Sequence, residues 1–186
     1  MIDRGALGEP KNVVLDEQSD LSEFKKWAEA GKRNGSKIWT QLNHPGKQIP
    51  NFIVKVPVAP SAISLSRGLE KGFNKPRALK EEEILVIIKK FATSAKLSKE
   101  AGFTGVQIHG AHGYLVSQFL SPRHNQRDDQ WGGSLENRMR FVLSVYNAIR
   151  TEVGDDFPIG IKLNSADFMK GGFSEEDSMQ VVKTLA

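Results

Sequence analysis

Three short β-prone segments, each set off from the next by a helix-length amphipathic stretch, restrict this 186-residue chain to a small set of folds. Residues 38–42 run into Asn43-His44-Pro45-Gly46, residues 105–110 end in His109-Gly110, and Pro158 opens the third segment at 158–163. The spacing predicts a helix over 21–33 with Asp20 as cap, Glu23 closing a capping box, and Phe24, Trp27 and Ala28 as its apolar stripe. A second helix over 81–97 carries Ile84, Ile87, Ile88, Phe91, Ala92 and Ala95 on one face. Ser134 caps a third, with Leu135, Met139, Val142, Val145, Tyr146 and Ile149 inward, and Ser174 with Asp177 opens a last one through Met179 and Val182. Trp27, Met139 and Met179 read as core residues. Residues 43–79 show no period and are punctuated by Pro50, Pro57, Pro60 and Pro76, the pattern of a binding loop or lid. A second extended polar loop is expected from 111 to 133.

Such alternation requires parallel strands joined by crossovers that run back over the sheet. The class is α/β, and two architectures satisfy it: a doubly wound open sheet or part of a (β/α)8 barrel, the TIM barrel. No G-x-G-x-x-G or Walker A loop follows any strand, so the barrel fits better. A complete barrel takes about 250 residues and eight strands. This chain supplies about three to four, the fourth only if part of 54–63 pairs. The reading is therefore an incomplete segment, a single domain over 1–186. Its exposed strand edges need a partner, such as a second copy in a homo-oligomer or a complementary barrel segment, or an altered topology.

Composition removes several function classes. There is no cysteine, hence no disulfide, thiolate catalysis or Cys-ligated metal. No stretch approaches the roughly 20 apolar residues of a membrane span and no apolar signal segment follows Met1, so no membrane partner and a cytoplasmic setting are expected. The net charge of +4 is small and dispersed, which argues against nucleic acid. The run from Arg123 to Trp131 contains Asp128 and Asp129 and reads as a loop held by internal ion pairs.

In parallel α/β folds, ligands bind beyond the C-terminal ends of the strands. Gln41, His109 and Lys162 with Asn164 stand at those ends, and His44, His109, His112 and His124 all fall in segments leaving strands. His109 and His112, separated by Gly110-Ala111, can jointly donate to a carbonyl or other oxyanion, with Tyr114 as a nearby proton donor. The alternatives are an ordinary packed loop and a divalent metal site, the latter needing a third ligand such as His44 or Asp167. Gln41 can bond an amide edge in both senses or simply finish a strand. Lys162, between Ile161 and Leu163, is expected to be buried and so to meet an electron-rich ligand or a carboxylate.

Gln41-Leu42-Asn43-His44-Pro45-Gly46-Lys47, the run from His109 to Arg123, and Gly132-Gly133-Ser134-Leu135-Glu136-Asn137-Arg138 with Arg140-Phe141 resemble the Old Yellow Enzyme family of FMN-dependent NAD(P)H:flavin oxidoreductases. The resemblance implies a (β/α)8 barrel with FMN at the C-terminal rim, NADH or NADPH as reductant, and a small alkene or enone, or a nitro compound, as substrate. It implies that Gln41 and Lys162 are cofactor-binding, Gln41 at the flavin pyrimidine edge and Lys162 near N1 and O2. His109 and His112 would hold the substrate oxygen, and Tyr114 would protonate the α-carbon after hydride leaves flavin N5 for the β-carbon. No metal is implied. Lys162 stands where the family usually has Arg and Trp131 where it usually has Tyr, and the first and last barrel strands are missing, including segments that seize the FMN phosphate. A metal-assisted hydrolase or aldolase and a non-catalytic assembly fragment are the competing readings.

Overall fold

The computed structural model describes residues 1–66 and 68–186. Among them the elements run α1 (Leu21–Gly31), β1 (Trp39–Leu42), β2 (Val58–Ala59), β3 (Arg77–Ala78), α2 (Glu81–Glu100), β4 (Gly105–Gly110), α3 (Leu115–Leu120), α4 (Leu135–Val153), β5 (Ile159–Leu163) and α5 (Glu175–Leu185), with 3-10 turns at Arg33–Gly35 and Leu69–Lys71. The main sheet has the order β1-β4-β5, all parallel, with Gln41 opposite Gln107 and His109 opposite Lys162. It does not close. This is a (β/α)8-type core in incomplete form, with β1 and β5 as its edges.

One face of the sheet is covered by helices. Leu42, Val106 and Ile108 point into a core with Phe91, Ala95, Phe119, Phe141, Val145 and Ile149. Phe119 stacks on Phe141 at 4.2 Å and 18°, and Phe91 meets Phe141 edge-on at 6.5 Å, so one ring ties α2, α3 and α4 together. Thr40 points the same way, its hydroxyl 2.7 Å from that of Ser98 on α2.

Several expectations are corrected. Residues 54–63 add no fourth strand to the main sheet, because Val58–Ala59 pairs instead with Arg77–Ala78 inside the same excursion. The loop expected from 111 to 133 contains α3, all six of whose residues are buried; a helix enclosed on every side has no polar face and so no period to read. Asp20 caps α1 by accepting from Ser22 N–H at 2.9 Å, but Glu23 pairs with Lys26 at 2.6 Å and leaves the capping box open. Trp27 is 50% exposed and Met179 56% exposed, so neither is core, whereas Met139 is buried. Trp27 still packs its ring edge-on to Phe103 at 5.6 Å. The 123–131 loop is internally paired, with Arg127 bridged to Asp129 at 2.6 Å and donating to the carbonyls of Pro60 and Leu79.

Candidate active site

Side chains alternate across a strand, so the register places Trp39, Gln41, Gln107, His109 and Lys162 together on the face turned away from the helices. At the N-terminal end of that face, the Trp39 indole lies across Gly105 and Gly160; a Cβ at either glycine would collide with it. Toward the C-terminal end the lining turns polar. The three strand-end residues singled out from sequence therefore share one surface. Lys162, expected to be buried, is exposed, because β5 is an edge strand and no segment among the described residues covers its inner face.

His109 is 5% exposed, and its ring meets His112 at 5.1 Å and Tyr114 at 5.0 Å, both edge-on. The backbone arranges this. His112 has φ +58 and Gly113 φ +72, two successive left-handed residues that fold the chain back over the strand end. His112 N–H donates to Asn164 Oδ1 at 3.1 Å and its carbonyl accepts from Gln48 Nε2 at 2.8 Å, which compensates the strain of a non-glycine residue there. Ala111 N–H donates to His109 Nδ1 at 3.4 Å, which assigns the ring proton to Nε2. Burial, reinforced by the charges of His112 and Lys162, pushes the His109 pKa down to about 4. At neutral pH it is thus a neutral imidazole with one N–H to donate.

Behind the cluster lies a layer of buried polar groups, two of which, Gln118 and Lys47, were not singled out from sequence. Gln118 on α3 is wholly buried; its Nε2 donates to Gly113 O at 2.7 Å and to Pro45 O at 3.1 Å, and its Oε1 accepts from Lys47 N–H at 3.3 Å. It joins the loop leaving β1 to the loop leaving β4. Gly46, at φ +60, rests against this amide so closely that no side chain fits. Lys47 is also buried, its ammonium donating to Ile63 O at 2.8 Å and meeting His124 Nδ1 at 3.0 Å. Burial pushes Lys47 down to about 8 and His124 to about 4. His44 is buried and neutral as well, burial holding it near 4, and its Nδ1 accepts from Gly46 N–H at 3.0 Å. Ser121 Oγ donates to Asp167 at 2.5 Å. His44, His124 and Asp167 thus brace loops. Among the described residues no group of three or more His, Asp or Glu side chains is arranged to hold a metal ion, so the metal reading lacks its third ligand.

The surface can therefore grip a carbonyl-type oxygen with two imidazoles, present a phenol beside it, and offer an amide and an ammonium to one flat heterocycle. Fold and site together define a partial (β/α)8 barrel of the kind that carries its chemistry at the strand C-termini. The model of the NADH:flavin oxidoreductase / NADH oxidase family matches residues 2–186, and the chain belongs to that family, the Old Yellow Enzyme family of FMN-dependent oxidoreductases. It is 41% identical over 182 residues to an NADH oxidase of Thermoanaerobacter brockii, with 94% of this chain and 27% of that protein covered. It is 36% identical over 183 residues to the NADH-dependent flavin oxidoreductase iliE of Hypocrea jecorina, with 89% and 46% covered. Among solved structures, a 2-naphthoyl-CoA reductase in complex with 2-naphthoyl-CoA superposes with TM-score 0.91 at 32% identity, covering 97% of this chain and 29% of that one. A morphinone reductase in complex with tetrahydroNAD superposes with TM-score 0.85 at 32% identity, covering all of this chain and 54% of that one. The chain thus spans between about a quarter and a half of these proteins' lengths. No helix among the described residues is long and apolar enough to cross a membrane.

Proposed function

We propose that this chain is part of an FMN-dependent oxidoreductase that reduces activated alkenes, enones and nitro compounds, with NADH or NADPH as reductant. The observation that carries the reading is the His109–His112–Tyr114 cluster at the end of β4, flanked on the same face by Gln41 and Lys162. The donor set fits FMN: the Gln41 amide suits the pyrimidine edge, and the exposed Lys162 ammonium suits the electron-rich N1 and O2 side. Bound FMN would supply the electron pair through N5. The protein's part is position and polarisation. His109, neutral and fixed through its Nδ1 contact, donates from Nε2 to the substrate carbonyl or nitro oxygen, and His112 donates to the same oxygen. That pairing stabilises negative charge as it develops there. The Tyr114 hydroxyl gives its proton to the substrate α-carbon.

Residues 1–186 act in this reading as one partial barrel domain, lacking the first and last strands. The free edges of β1 and β5 are where further barrel strands pair, from a complementary segment or a second copy. The test is a visible-spectrum titration of the purified chain with FMN, repeated on a full-length parent. A shifted flavin band with saturable quenching of flavin fluorescence is expected. An unperturbed FMN spectrum with both proteins would refute the assignment.

A further inference from the structure

Gln107 has no part in the chemistry proposed above, yet it occupies the centre of the polar face. It is the register partner of Gln41 and lies two residues before His109, so its side chain shares their surface. Gln41 Nε2 donates to Gln107 Oε1 at 2.6 Å, and among the described residues this is the hydrogen bond the Gln41 side chain makes. Gln41 is exposed, and an unrestrained glutamine there would sample several rotamers and both amide senses. With one N–H held by Gln107, a flip of Gln41 alone would set two carbonyl oxygens against each other, so the two amides turn over only as a pair. In the present orientation the other N–H and the carbonyl oxygen of Gln41 are left for a ligand in one sense.

We infer that Gln107 is a positioning residue, which sets the Gln41 amide to receive an imide edge, with its carbonyl oxygen accepting from the ring N–H and its free N–H donating to the adjacent ring carbonyl. The inference rests on the FMN reading, because the pyrimidine ring of FMN carries such an edge. It adds a selectivity that the Gln41 contact alone does not have. A ring whose imide nitrogen is methylated offers no N–H to the fixed carbonyl oxygen and is disfavoured, whereas a freely flipping amide tolerates it better.

Two measurements on the intact chain separate this role from the function it rests on. In side-chain amide NMR, the Gln41 Nε2 protons are expected as two well-separated resonances with a contact to the Gln107 side chain. They collapse toward free-carboxamide positions in Gln107→Leu and persist in Gln107→Glu, which keeps an acceptor. In fluorescence titrations, Gln107→Leu weakens FMN about 5- to 10-fold, the loss expected when one neutral hydrogen-bonded pair is no longer oriented. The same variant narrows the preference for FMN over N3-methyl-FMN, and Gln107→Glu stays closer to the unmodified protein than the leucine variant does. Unchanged Gln41 resonances, or unchanged FMN affinity and discrimination in Gln107→Leu, would overturn the inference. Absence of FMN binding by the unmodified chain and its parent removes the proposed function, and the flavin half of the inference with it, while the NMR arm still decides whether Gln107 holds Gln41.

Discussion

The Tyr114 ring stands edge-on to the His109 imidazole, with 5.0 Å between centroids and 84° between planes. His109 is the penultimate residue of β4 and Tyr114 caps α3, so a single strand exit delivers both the residue proposed to bind the substrate oxygen and the proposed proton donor. The contact uses the phenol's ring rather than its hydroxyl.

Tyr114→Phe keeps that ring contact and deletes the O–H. Alkene reduction by the FMN-loaded protein is expected to fall by about 100-fold or more, with flavin reduction by NADH changed by no more than about threefold. Rapid-mixing measurements of the two half-reactions check this, and equal losses in both would exclude the proton-donor role.

His109→Ala and His112→Ala are each expected to cost about 2–4 kcal/mol of transition-state stabilisation, read from kcat/KM on a carbonyl-activated alkene. If both imidazoles serve one oxygen, the double variant loses less than the sum of the two singles. Full additivity would mean separate tasks.

Stability should decline on mild acidification. His44, His109 and His124 have native pKa values near 4, against 6.5 for an ordinary histidine. Above 6.5 native and unfolded states are both neutral and the full stability is present. As the pH falls from 6.5 toward 4 the unfolded chain takes up protons that the native state does not, and stability is lost. The carboxyls of Asp3, Asp16, Asp129 and Glu83 are held below their usual range, so their contributions persist until more acidic pH. Urea midpoints are expected to be lower at pH 5 than at pH 7.5, with a shallower dependence in His44→Gln. A flat profile would contradict the buried neutral state of these rings.

Gln118→Met preserves volume and removes two donors and one acceptor, leaving Gly113 O and Lys47 N–H without this partner and Pro45 O with Gln48 N–H alone. A destabilisation of about 2–4 kcal/mol is expected in chemical denaturation, since each stranded buried group costs about 1–3 kcal/mol and water will satisfy some. Gly46→Ala should behave alike, because its methyl group would occupy the place of the same amide.

The three strands of the main sheet were legible because each is short, β-prone and bounded by turn-forming residues, and β4 was found at its observed bounds. The helix stripes of α2 and α4 were legible for the same reason, since one wet and one dry face leave a 3.6-residue period. Fully enclosed α3 left none, and with it went Gln118, whose partners lie 73 residues away at Pro45 and 5 away at Gly113. Trp27 and Met179 were misplaced because apolar spacing marks a stripe without saying how far its margin reaches into the core.

Local chemistry thus determined the α/β order, the polar strand ends and the grouping of His109, His112 and Tyr114, all properties of residues close in sequence. Only the folded sheet decided that Gln41 and Lys162 stand on the face of His109, because a one-residue slip in either register would turn them toward the helices. The tertiary structure also decided which polar groups are enclosed. Lys47 and Gln118 are buried because three loops converge on them, whereas Lys162 is exposed because β5 is an edge strand and, among the described residues, no segment covers its inner face. Burial depends on what distant parts of the chain bring together, and a local pattern does not carry that information.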